Sequence, residues 1–148
     1  MRAALHKQGQ PLLTLTGPGG CGKTRLALAV ADAESERCPD GARVVELAPL
    51  TDPALVPQAV GAALGLREQS DRPFEDALAE AIADRHELLI LDNCEHLADA
   101  CADLVERLVQ RSPNLRVLAT SRTPFGVVDE RTWQVQPLTQ PHAVELFV

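Results

Sequence analysis

The stretch that most constrains this chain is Gly17-Pro18-Gly19-Gly20-Cys21-Gly22-Lys23-Thr24. It fits GxxxxGK[ST], the pattern of a phosphate-binding loop. Glycines at 17, 19, 20 and 22 let the backbone turn tightly, so that consecutive N–H groups, that of Cys21 included, point at an anion. The helix that begins there adds the positive end of its dipole, with Arg25 in its first turn. Lys23 can reach the outer phosphates. The Thr24 hydroxyl is a ligand of the kind Mg2+ prefers. A glycine-rich turn can match by chance, but here the context agrees. Pro11 to Leu15 is a short apolar run that reads as a buried strand. Lys23 to Arg37 reads as a helix with Leu26, Ala27, Val30 and Ala33 inward. Lys23 is one of only two lysines among 14 basic residues, so composition alone would rarely place one here.

The rest of the chain alternates. Strands are expected at Arg43–Leu47, Leu88–Leu91, Leu115–Thr120 and, more weakly, Thr132–Val135. A helix starts at Asp52-Pro53, which Pro57 can delay by a turn; others span Pro73–Asp84 and Glu95–Arg111. Leu88 to Leu91 lacks alternation, as a central strand covered on both faces does. Alternating strands and helices imply an α/β domain with a parallel sheet. Such sheets bind ligands beyond their carboxyl ends, here after Leu15, Leu91 and Thr120. Residues 2–10 read as a helix end and a turn at Gly9. Pro141 to Val148 reads as the first turn of an amphipathic helix, so residues 1–140 are expected to form the nucleotide-binding domain and 141–148 the start of a truncated lid.

Asp92, at the tip of the apolar strand, has the Walker B arrangement, in which a carboxylate holds Mg2+ opposite Thr24. A turn aspartate is the plainer reading of such a position. The next residue, Asn93, cannot take a proton from water. Glu95 is the nearest carboxylate; it can serve as base or cap the helix it begins. Arg122 ends the fourth strand. If that strand lies between the first and third, Arg122 sits beside the phosphates and can bind a γ-phosphate bidentately; otherwise it is a solvated arginine.

The 148 residues carry a net charge of −7 and 3% aromatics, with no Tyr. That argues against direct DNA binding and base stacking by this segment. No apolar run approaches a membrane helix, and no signal peptide is evident, so a cytoplasmic protein is expected. Cysteines at 21, 38, 94 and 101 match no metal-knuckle spacing, and Cys94, His96 and Cys101 make a poor zinc set. Cys21, at a helix start, has the setting for a lowered thiol pKa and redox control.

With these elements in order, the chain resembles the nucleotide-binding domain of STAND ATPases, relatives of AAA+ proteins. It is most similar to the NB-ARC-like segment of large bacterial transcriptional regulators of the LuxR and antibiotic-regulatory types. The resemblance rests on LTLTGPGGCGKTRLALAVA at 13–31, VVELAPLTDPALVPQAVGAALGL at 44–66, LLILDNCEHL at 88–97 and LRVLATSRTPFGVVDERTWQVQPL at 115–138. It implies a P-loop three-layer sandwich with a five-stranded sheet in the order 5-1-4-3-2. It also implies ATP/ADP with Mg2+ as ligands, slow hydrolysis that resets a switch, and Arg122 as γ-phosphate sensor. Trp133 matches the segment leading to the lid, in a packing role. An upstream adenine-holding segment and downstream lid, winged-helix and repeat domains are implied outside residues 1–148, with nucleotide-dependent oligomerisation. A P-loop phosphotransferase on a small substrate and a nucleotide-binding scaffold without turnover are the alternatives.

Overall fold

The structure, a computed structural model, describes residues 11–20, 22–34, 36–67 and 72–136. The expected N-terminal helix end, Cys21 and the lid segment at 141–148 lie outside the described residues. Among the described residues five strands run in chain order: β1 (Leu12–Thr16), β2 (Ala42–Glu46), β3 (Leu88–Asp92), β4 (Arg116–Ser121) and β5 (Glu130–Gln134). They form one sheet in the order β2-β3-β4-β1-β5, which is the expected 5-1-4-3-2 read from the other edge. Every pairing is parallel. Among the described residues the α-helices are α1 (Lys23–Glu34), α2 (Val56–Ala63), α3 (Phe74–Ala81) and α4 (Ala98–Arg111).

Alternation along the central strands sorts their side chains to two cores. Leu13, Leu15, Leu88, Ile90 and Leu118 meet Leu26, Ala27, Val30 and Ala31 of α1 on one face. Leu12, Leu89, Leu91, Val117 and Ala119 meet α2, α3 and α4 on the other. All five residues of β1 and of β3 are buried, Thr14 and Thr16 of β1 and Asp92 of β3 among them, so both faces of these strands are covered. Each fully buried leucine contributes about 1.5–3 kcal/mol relative to exposure. On α4, Cys101, Leu104, Val105 and Leu108 hold the helical period and form its buried stripe. Trp133 packs, half-buried, against the α1-side core.

Several boundaries differ from the sequence reading, for local reasons. Ala31, not Ala33, completes the buried stripe of α1. That helix stops at Glu34, and a tight turn with Arg37 N–H donating to the Glu34 carbonyl (3.0 Å) replaces its last residues. The segment after Asp52 opens as a 3-10 turn, Pro53–Leu55, capped by the Asp52 carboxylate on Ala54 N–H (3.0 Å). The α-helix follows with Pro57 in its first turn, the delay that proline imposes. The helix at 74 ends at Ala81 because three-residue turns at Ala83 and Arg85 tighten its end. The helix expected from Glu95 begins as a 3-10 turn, Glu95–Leu97. Leu97, at φ −132°, leaves helical geometry there and is buried in the core.

One buried charge lies at the opposite end of the sheet from the strand tips. Glu87 precedes β3 and is only 1% exposed, with both carboxylate oxygens lacking a hydrogen bond among the described residues. Arg43 Nε and Arg85 Nη1 each stand 3.6 Å away. Burial pushes the Glu87 pKa up, and the two arginines pull it only part of the way back. A carboxyl with a raised native pKa costs nothing while both states are protonated. Its cost appears as pH rises above the ordinary glutamate value and is complete above the native one. Glu87→Gln should therefore raise the melting temperature more at pH 7 than at pH 4. Thermal denaturation across that range checks it, and a pH-independent difference would show that burial does not hinder ionisation.

Candidate functional site

The carboxyl ends of β1, β3 and β4 converge because β4 lies between the other two. Register puts Leu15 beside Thr120 and Thr16 beside Ser121, and Leu91 beside Ala119. The loop after β1, the residues after β3 and the residues after β4 are thereby neighbours, though far apart in sequence.

The glycine-rich loop turns through Gly20 and Gly22, at φ 78° and 93°, a region that side-chain-bearing residues rarely adopt. It feeds directly into α1, whose first turn contains no acidic residue, so the positive helix end is not neutralised from within. Lys23 is 8% exposed, and its ammonium donates to the carbonyls of Gly17 (2.8 Å) and Pro18 (2.9 Å). The side chain is thus folded back along the loop, with its charge held at the loop's rim. Thr24 and Arg25 follow on exposed positions of the first turn.

Asp92 is 5% exposed, and its carboxylate is gripped by two hydroxyls. Thr24 Oγ1 donates to Oδ1 (2.9 Å) and Oδ2 (3.1 Å). Thr120 Oγ1 donates to Oδ1 (2.5 Å) and accepts the Asn93 N–H (2.8 Å). The Cys94 N–H donates to the Thr120 carbonyl (2.9 Å), so Thr120 ties the whole turn after β3 to β4. From sequence, Thr120 is a strand-end residue expected beside the phosphates if β4 lies between β1 and β3, with no link to Asp92. Its signal, a hydroxyl at a strand end, acquires meaning only once β4 is known to run beside β3.

Asn93 has φ 64°, the left-handed region that Asn tolerates better than most residues. Its side-chain amide approaches Asp92 Oδ2 at 3.4 Å. This backbone gives a local reason for Asn where a longer acid is otherwise imagined. Glu95 Oε2 has no hydrogen bond among the described residues, and Oε1 lies 3.8 Å from Arg122 Nε. The guanidinium also rests over Gly19, where an added Cβ would come within 3.2 Å of Nη2. Lys23, Thr24, Asp92, Glu95 and Arg122 are therefore brought together around the loop.

The donor set suits a small hard cation. A hydroxyl and a carboxylate, both oxygen donors, already face each other at the mouth of the loop. The sulfur and imidazole groups nearby are turned to other work. His96 Nε2 lies 3.0 Å from the Leu47 carbonyl and 2.8 Å from that of Leu50, so it carries the proton, since carbonyls only accept. Cys94 is fully buried with Sγ 3.2 Å from the Leu91 carbonyl. A hydrogen bond with Cys101, and then burial, push its thiol well above the ordinary range, away from the thiolate a soft metal needs. No helix among the described residues is long and apolar enough to cross a membrane.

Residues 6–128 match the family described as "AAA domain". Over 148 residues the chain is 47% identical to a Mycobacterium tuberculosis protein named as a candidate HTH-type transcriptional regulator. That alignment takes in 99% of this chain and 16% of the relative, so the chain spans about a sixth of the curated relative's length. Among solved structures, it is similar to a Signal Transduction ATPase with Numerous Domains (STAND) protein with a tetratricopeptide repeat sensor from Pyrococcus horikoshii. The TM-score is 0.62 at 17% identity, over 93% of this chain and 22% of that one. It is also similar to the Aeropyrum pernix ORC2 protein, solved as ADPNP-ADP complexes, with a TM-score of 0.56 at 17% identity, over 83% and 41% of the two chains. At this identity the solved structures share the fold.

Proposed function

The chain belongs to the AAA domain family, and from that premise we propose that it is an ATP/ADP-binding switch module with slow Mg2+-dependent ATP hydrolysis. The observation that carries the reading is the Thr24–Asp92 contact at the mouth of the loop, 2.9 Å between hydroxyl and carboxylate, with Lys23 folded beside it. These are the groups that hold a nucleotide's phosphates and its metal.

In this reading the loop N–H groups and Lys23 bind the phosphates, Lys23 exchanging its two carbonyl acceptors for phosphate oxygens. Thr24 and Asp92 hold Mg2+, which supplies positive charge that neutralises the phosphate oxygens when bound. Thr120 keeps the Asp92 carboxylate aimed. Arg122, at the end of β4, contacts the γ-phosphate and so distinguishes ATP from ADP. Asn93 has no basic group, and Glu95, the remaining candidate, is paired with the Arg122 guanidinium at 3.8 Å. Slow turnover follows. The same two residues favour the second reading, a nucleotide-binding scaffold without turnover.

The regulator-like relative supports a larger parent protein that works in the cytoplasm. There residues 1–140 are the nucleotide domain, 141–148 begin a helical lid, and winged-helix and repeat domains follow. Calorimetry with ATP and ADP, with and without Mg2+, combined with single-turnover phosphate release, tests the proposal. Micromolar binding with slow release of inorganic phosphate is expected. Binding without release selects the scaffold. A phosphorylated small acceptor selects a phosphotransferase instead.

A further inference from the structure

We propose that Glu95 is the resting counter-ion of Arg122 and thereby sets how strongly the site prefers a triphosphate to a diphosphate. The inference rests on the reading of Arg122 as the γ-phosphate partner and adds a competitor for it. Arg122 and Glu95 follow the ends of adjacent strands, and the guanidinium lies over Gly19 of the loop and 3.8 Å from the Glu95 carboxylate. It therefore stands where a phosphate held by the loop would meet it.

The pair is built to be exchanged rather than to hold. Arg122 Nε and Glu95 Oε1 are 3.8 Å apart, beyond hydrogen-bond distance, and the Arg122 side chain is 66% exposed. Exposed pairs of this kind contribute little. Glu95 differs from its partner: its side chain is 28% exposed, and Oε2 is buried without a hydrogen bond among the described residues. Arg122 is thus the cation compensating a carboxylate that is otherwise poorly solvated. A terminal phosphate offers Arg122 two short charge-assisted bonds, so the guanidinium moves to it. The cost is that Glu95 loses its counter-ion. A diphosphate does not recruit Arg122 and leaves the pair intact. Glu95 therefore opposes the triphosphate alone and is a positioning residue acting through Arg122.

Calorimetry on the full chain, with ADP and a non-hydrolysable ATP analogue, tests this. Glu95→Gln should tighten the analogue by about threefold to fivefold, the range open to a partly exposed pair, and leave ADP unchanged. On an Arg122→Gln background the gain should vanish, which a merely structural role for Glu95 would not predict. Arg122→Gln alone, at an exposed position that folding tolerates, should narrow the preference for the triphosphate. Equal changes for both nucleotides, weaker analogue binding, or a gain that persists without Arg122 would each overturn the inference. A wild-type chain that binds neither nucleotide refutes the nucleotide reading and this one together. One that binds both, with a ratio unmoved by Glu95→Gln, refutes only this one.

Discussion

Lys23→Ala is expected to abolish measurable ATP and ADP binding, weakening affinity by at least about a hundredfold. Lys23 is only 8% exposed, and its ammonium sits on the rim of the loop, 2.8 Å and 2.9 Å from two of the loop's own carbonyls. Hydrogen bonds to a charged group contribute roughly 1.5–3 kcal/mol each, and a tenfold change in affinity is about 1.4 kcal/mol. An ammonium that donates to two phosphate oxygens thus accounts for two or more powers of ten. The substitution has a second consequence, because the Gly17 and Pro18 carbonyls lose their donor. The melting temperature should be followed alongside the calorimetry. A folded variant that keeps micromolar affinity would sink the phosphate-binding assignment. Lys23→Arg retains the charge and should lose less, since what remains then depends on geometry.

That prediction could be written from the sequence, since the loop motif and its strand–helix context are local. The buried central strands were legible too. Leu88 to Leu91 is apolar without interruption, and Leu12 to Leu15 is broken only by Thr14, because both faces of the sheet are covered. Boundaries were read less well wherever a chain end tightened into three-residue turns, as at Pro53–Leu55 and Glu95–Leu97. Hydrophobic period is the same in the first turn of either helix type, so it does not separate them. The strand order came from the family resemblance, not from any pattern in the residues. Everything that depends on it was therefore conditional: the place of Arg122 beside the loop, the grip of Thr120 on Asp92, and the approach of Arg122 to Glu95. The two ends of that last contact belong to different strand tips, so spacing along the chain carries no trace of it.

Asp92→Asn is expected to remove most of the gain in nucleotide affinity that Mg2+ provides, by about tenfold or more, while changing Mg2+-free binding much less. The asymmetry follows from what the carboxylate touches. Its partners are two hydroxyls, Thr24 and Thr120, and the Asn93 amide, with no cationic side chain among those hydrogen bonds. Hydroxyls donate or accept by rotating, so they can accommodate an amide of the same shape. The fold around the turn after β3 has further support from backbone bonds, Cys94 to Thr120 and Leu47 to Asp92. What the amide does not replace is the negative charge. A hard divalent cation binds carboxylate oxygen far better than amide oxygen when only one or two protein ligands are available. The metal should therefore register the substitution first, and the phosphates only through the metal. Calorimetric titrations of ATP in Mg2+ and in EDTA, on wild type and variant, give the four affinities needed. If the loss is equal in both conditions, Asp92 acts as a structural bracket between β3, β4 and α1, and the site must draw its cation from elsewhere.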